Sequence, residues 1–339
     1  MAKINVRSPY YIPITAVNLT SCLLELYIYT GEQTTDRGTV KYTLNTTAYD
    51  EEVTFEISEL VRDYLDTTFN GTYTSHTVWV DYQVTKYLSV GGPTVDSFVE
   101  LVGYEGYGYF EDGANPDLDN DGKLQSNEII ISASGEEVTV AADQSIMKAI
   151  KWYVGGGIVH TDTITETSES DDNIRYLSYT GADIVEYDWQ GATLQIPITY
   201  VEECKHTPYK LTFVNRFGAL QDLWFFKRTN LALETSKNDY KGNILNSGTY
   251  STSKHQNKIL NKQGKEKLIL NSGFVPEEYN EVFRQLMLSE KVWIEVSGDT
   301  LPINVSSAGL PFKDSLNDKL INYTINVDYA FDKINSVRQ

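Results

Sequence analysis

Over roughly the first hundred positions, apolar residues come in short runs or alternate with polar ones. Residues 10–14, 22–29, 40–44, 53–57 and 78–84 carry this pattern, parted by Gly, Thr, Asp and Asn. A period of two between turn formers is the signature of strands. One stretch breaks the rhythm. After Ser58, which reads as an N-cap, Leu60, Val61, Tyr64 and Leu65 fall at i, i+1, i+4 and i+5, one apolar stripe over two helical turns. Short strands with one small crossover helix predict an immunoglobulin-like or fibronectin-like sandwich over residues 1–98.

Residues 99–113 form a Gly/Tyr-rich seam, in which Gly103, Gly106 and Gly108 permit turns or close backbone approach and the tyrosines supply flat contact area. Strand patterns resume at 129–133, 138–142, 150–154, 158–164, 184–187 and 194–201, with Gly155-Gly156-Gly157 as a hairpin turn or bulge and 168–172 as a polar tip. These make a second β-domain over 99–204. In the last third, 211–214 and 220–226 flank Asn215-Arg216-Phe217-Gly218, a hairpin signal with apolar arms. Pro276 is expected to open a helix whose Tyr279, Val282, Phe283, Leu286 and Met287 share one face. Strands at 268–270, 292–296, 303–305 and 321–329 complete a C-terminal α+β domain over 205–339. The fold class expected is mainly β with a smaller α+β part: tandem immunoglobulin/fibronectin-like β-sandwich units, then the α+β domain.

Composition narrows the function. Of 339 residues, 47 are Asp or Glu and 28 Lys or Arg, a formal charge of −19. Such a surface is a poor ligand for nucleic acid or anionic membrane, which need clustered Lys and Arg. Cys22 and Cys204 make no disulfide framework, and no apolar run approaches 18 residues, so synthesis in a reducing cytoplasm is expected. Catalytic signals are sparse. No nucleophile elbow, phosphate-binding loop or His-Glu-x-x-His is present, and the four His residues are scattered. Cys204-Lys205-His206 could hold zinc only with two ligands from elsewhere. An enzyme is the weakest of the available readings.

One motif is sharp. From Asp117 to Glu128 the chain matches Asp-x-Asp-x-Asp-Gly-x5-Glu at every position. A hard cation such as Ca2+ needs six to eight oxygens, which this spacing supplies. Asp117, Asp119 and Asp121 would each give one carboxylate oxygen, Lys123 its backbone carbonyl and Glu128 two oxygens, with Gln125 acting through water. Gly122 allows the bend and Leu124 can bury. Gly113 and Pro116 replace the entering helix of a paired, switching site, so the expected role is structural. An acidic turn without metal is the plain alternative.

The other anomaly is basic. Between 236 and 267 stand seven Lys against Asp239 and Glu266, a net of +5 that leaves −24 on the rest of the chain. A solvated loop is the default reading, yet so long a connection inside a compact domain reads as a functional arm. Lys241, Lys254, Lys258 and Lys262 are its expected contacts with a neighbouring subunit.

Residues 103–116 (GYEGYGYFEDGANP), 209–228 (YKLTFVNRFGALQDLWFFKR), 273–293 (GFVPEEYNEVFRQLMLSEKVW) and 315–331 (SLNDKLINYTINVDYAF), with Ser8-Pro9-Tyr10-Tyr11 before them, resemble a family of virion proteins from tailed phages of Bacteroidetes, including crAss-like podoviruses. The resemblance implies a tail or neck component without turnover, assembled in the host cytoplasm. It would be one of several copies in a collar ring below the portal, contacting portal and tail ring proteins. Genomic DNA would pass through the channel without sequence-specific binding, and no membrane would be involved. An acidic lumen suits that role, since it repels phosphate. The rival reading is a calcium-stabilised β-sandwich adhesin or carbohydrate-binding module, for which the tyrosines would supply exposed aromatic faces.

Overall fold

The computed structural model describes residues 2–118, 121–165, 173–189, 191–314 and 321–335. Strands make up 52% of the described residues and helices 6%, so the protein is mainly β, as the sequence pattern predicts.

The first region contains β1 (Ala2–Asn5), β2 (Tyr11–Thr15), β3 (Leu19–Tyr29), β4 (Tyr42–Thr47), β5 (Glu52–Glu56), α1 (Ser58–Arg62), β6 (Thr77–Leu88), β7 (Thr94–Val95) and β8 (Val99–Tyr104). A six-stranded sheet runs β1-β8-β6-β3-β4, with β7 beside β6. Cys22, Leu24, Leu26 and Ile28 alternate along β3 onto one buried face, where the β2–β5 pair adds Ile12, Ile14, Val53 and Phe55. The helix is shorter than its stripe predicts. Ile57, not Ser58, is the N-cap, and the Ser58 hydroxyl donates to Glu56 instead. After Arg62 the chain tightens into i→i−3 bonds from Tyr64 and Leu65 (3.1 and 3.0 Å), so the second turn is not α-helical.

The second region has β9 (Ile130–Ala133), β10 (Glu137–Asp143), β11 (Met147–Val154), β12 (Gly157–Thr163), β13 (Ile174–Thr180), β14 (Ile184–Trp189) and β15 (Ala192–Val201). The order β12-β11-β14-β15-β9 makes one sheet and β10–β13 a second, around Val138, Val140, Ile150, Trp152, Val185, Tyr187 and Ile196. Gly155 and Gly156, at φ +56° and +83°, are the two-residue turn between the paired Val154 and Gly157. Positive φ at both turn positions is what a tight hairpin demands. The sequence pattern passes over β13, whose side chains are mostly half-buried.

The third region has β16 (Tyr209–Val214), β17 (Leu220–Phe225), β18 (Asn230–Lys241), β19 (Asn257–Phe274), α2 (Tyr279–Leu288), β20 (Val292–Val296), β21 (Asp299–Val305) and β22 (Asn322–Tyr329). Its seven strands run β17-β16-β20-β21-β22-β19-β18. Tyr279, Val282, Phe283 and Leu286 of α2 pack on Leu223, Phe225, Val292, Ile294, Ile325 and Val327. Pro276 precedes the helix rather than opening it: its carbonyl accepts from Tyr279 N–H (3.2 Å), and Glu278 is the N-cap. The Lys-rich stretch is strand at both ends, with residues 242–256 as the tip between them. Strands β18 and β19 pair from Asn230↔Ile269 out to Lys241↔Asn257, and every residue of β18 is exposed.

A smaller cluster joins the three regions. Trp79, Val102 and Tyr104 from the first meet Leu124, Ala141 and Ile174 from the second and Ala219 from the third.

Candidate functional site

The acidic loop lies at this junction. Leu124 is 1% exposed there. Its N–H donates to Ala141 O (3.2 Å), and its carbonyl accepts from Asn215 Nδ2 (2.9 Å). Gly122 bends the chain at φ +75°, a conformation natural to glycine, and its carbonyl accepts from Asp143 N–H (2.8 Å). A Cβ there would press on Ile146 at 3.0 Å.

The side chains divide by destination. Asp121 Oδ1 accepts from Lys123 N–H (3.1 Å), closing the turn, while Asp117 and Glu128 are exposed. Gln125 is buried, and its amide donates to the Tyr187 hydroxyl in the second core. Lys123 reaches back to Asn127 O (3.1 Å); burial pushes its ammonium pKa down against the pull of Asp121 and Glu128. Asp119 and Asn120 lie outside the described residues, and among the described residues no three His, Cys, Asp or Glu side chains form a metal-sized group.

Further bonds tie the loop and the residues beside it to all three regions. Gln221 of β17 donates to Asn127 Oδ1, Lys3 of β1 pairs with the buried Asp143, and Asn5 Nδ2 donates to Pro116 O (2.8 Å). Sequence reasoning missed these partners, because a lone Lys, Asn or Gln carries no pattern. The Gly/Tyr seam also comes close here. A Cβ at Gly106 would strike Asn5 and the Arg216 carbonyl, and one at Gly108 would strike Pro116. The guanidinium of Arg7 lies 4.5 Å from the Tyr107 ring centroid, and that of Arg216 lies 4.3 Å from that of Tyr109.

The second candidate is the β18–β19 ribbon. Lys241 faces Asn257, Lys258 faces Tyr240, Lys262 faces Lys237, and Lys254 stands in the tip; all four expected contact lysines are exposed. The sequence pattern does not reveal the ribbon's exposed apolar groups as a set: Leu231, Leu233, Tyr240, Leu245, Tyr250, Ile259 and Leu260. These are ordinary strand residues, and only the fold leaves them uncovered.

A cleft of about 410 Å3 between the second and third regions is lined by Glu136, Glu202, Glu203, Lys210, Trp224 and Glu295. Two of its glutamates are in ion pairs: Lys210 meets Glu295 at 2.9 Å and Lys227 meets Glu203 at 2.7 Å. The hydrogen bond from Lys227, with one from Lys205 N–H, holds the Glu203 carboxyl down at about 2. Among the described residues no helix is long and apolar enough to cross a membrane. No family model matches the chain, and no curated protein matches it.

Proposed function

We propose that this chain is a non-catalytic structural subunit of a tailed-phage neck or tail, assembling with its own copies into a collar ring around the DNA channel. The projecting β18–β19 ribbon carries the reading: a long two-stranded arm with exposed Leu, Ile and Tyr and a basic middle, on an acidic body. Exposed apolar surface of this kind marks interaction sites. The four segments that resemble phage virion proteins supply the location, with portal and tail ring proteins as neighbours. The same reading takes the first two regions as immunoglobulin/fibronectin-like sandwiches and the third as an α+β domain.

Within this function the loop from Asp117 to Glu128 holds Ca2+ as a structural ion. Asp117, Asp119, Asp121, the Lys123 carbonyl and Glu128 are its ligands, with water in place of Gln125. The positive φ of Gly122 and the buried Leu124 fit such a loop. Its partners in all three regions make the ion a clamp on the junction. The adhesin or carbohydrate-binding alternative is less well supported. Arg7 and Arg216 cover Tyr107 and Tyr109, and Tyr179 is stacked by Trp152 and His160, which takes those faces from a sugar.

Peptide mapping of purified particles tests the location, and electron microscopy of the purified protein tests the ring. Many copies per particle and closed cyclic assemblies are expected. Absence from particles, or presence only in infected cells, would overturn the reading.

A further inference from the structure

Taking the ring reading as given, we propose that its subunits join by strand addition: the free edge of β18 in one copy pairs with the free edge of β12 in the next. A ring requires a heterologous contact, in which two unlike patches on each copy meet head to tail. Strand edges are natural patches, since their unpaired N–H and C=O groups can accept a further strand. Most sheet ends here are guarded. Strands β1, β9 and β17 bury half or more of their side chains and β7 has two residues, while β4 is exposed at four of six positions and β2 and β5 at three of five. By contrast β18 is exposed at all twelve positions and β12 at six of seven.

The two edges complement each other. β18 exposes Leu231 and Leu233 on one face, at 63% and 59%, while β12 exposes Ile158 and Val159 at 55% and 45%. Farther along the same face of the ribbon, Lys237 lies directly opposite Lys262, and only Lys237 has an acidic partner in its own strand, Asp239 at 3.0 Å. Like charges so placed destabilise a strand pair, and an acidic neighbour relieves them. β12 carries Asp162 and no Lys or Arg, and four more Asp and Glu follow it in sequence between 166 and 172, outside the described residues. Pairing β18 with itself about a two-fold would instead stack basic ribbon on basic ribbon.

The test uses two full-length variants, Leu231→Lys/Leu233→Lys and Ile158→Lys/Val159→Lys, examined by native mass spectrometry. Circular dichroism and melting should match the parent chain, because all four side chains are exposed; Thr at the same positions replaces Lys where they do not. Each variant alone should be monomeric at concentrations where the parent forms rings. Mixed together they should give dimers and nothing larger, since each retains the edge the other has lost. Rings persisting in either variant, or a mixture that stays monomeric, would overturn the strand pairing while leaving the ring reading intact. A parent chain that is monomeric throughout would overturn both.

Discussion

Phe283 has no exposed surface and meets the rings of Phe225 at 6.1 Å and Tyr323 at 4.6 Å between centroids. Replacing it by Ala removes a close-packed ring from between helix and sheet, so Phe283→Ala should cost about 3 to 5 kcal/mol in urea unfolding. A change near zero would mean the pocket collapses without loss. Its position in the core is legible in the sequence because Val282, Phe283 and Leu286 repeat at helical spacing. Ser58 misleads because its hydroxyl donates to the Glu56 carboxylate instead of accepting from the N–H groups of the helix end it was expected to cap. Glu203 shows what spacing never reveals. With its folded pKa depressed to about 2, the native state holds the ionised form more tightly than the unfolded chain does. Its stabilising contribution is therefore complete above the ordinary carboxylate range, about 4.3, and is lost as pH falls toward 2. A carboxyl-carbon NMR titration should find Glu203 the late-protonating group, and Lys227→Met should move its midpoint upward. A midpoint that ignores Lys227 would assign the shift elsewhere.

At the scale of elements, the acidic loop and the ribbon were legible to different depths. The loop's ligand spacing is local and stands in the sequence. Its role at the junction depends on Asn215, Gln221, Tyr187 and Lys3, which only the fold brings near. A ligand bound only by the folded state stabilises it by mass action, about 2.7 kcal/mol at a hundred times Kd. Chelation should therefore lower the melting temperature of the whole chain, and Asp119→Ala with Asp121→Ala should erase the difference between calcium and chelator. Equal melting of the parent under both conditions would rule out a site of useful affinity. The ribbon was legible only as a charge run, because Lys, Asn, Gly and Ser dominate it and none favours a strand. What orders it is non-local: β19 is an eighteen-residue strand whose inner half pairs with β22, so its outer half continues from an anchored start and templates β18. Strands β3 and β15 end where the sequence pattern ends them, at Tyr29 and Val201, because apolar residues alternate along both.

At the scale of the whole molecule, two electrostatic effects oppose each other when copies meet. Bodies near −24 repel over long range, while the +5 segment attracts its neighbour's acidic surface at contact. The Debye length separates them. It is about 30 Å at 0.01 M ionic strength, about 8 Å at 0.15 M and about 3 Å at 1 M. Body repulsion acts across the larger distances and is lost first, whereas contacts a few ångströms apart survive until salt is high. Assembly of the full chain should therefore rise from low salt, pass through a maximum near physiological ionic strength, and fall again toward 1 M. Shortening the ribbon separates the terms. Residues 239–260 can be replaced by Asn-Gly, because Asn238 and Asn261 already face each other across the pair and a two-residue turn fits there. That change removes Lys241, Lys254 and Lys258 together with Tyr240, Leu245 and Tyr250, and leaves the helix-bearing core untouched. The shortened chain keeps the repulsion while its basic segment falls from +5 to +3, four Lys against Glu266, so it should assemble more weakly and fall off less steeply toward 1 M. Sedimentation velocity across 0.01 to 1 M NaCl would read both curves. Superimposable salt profiles for the two chains would mean that Lys241, Lys254 and Lys258 face solvent in the assembled particle.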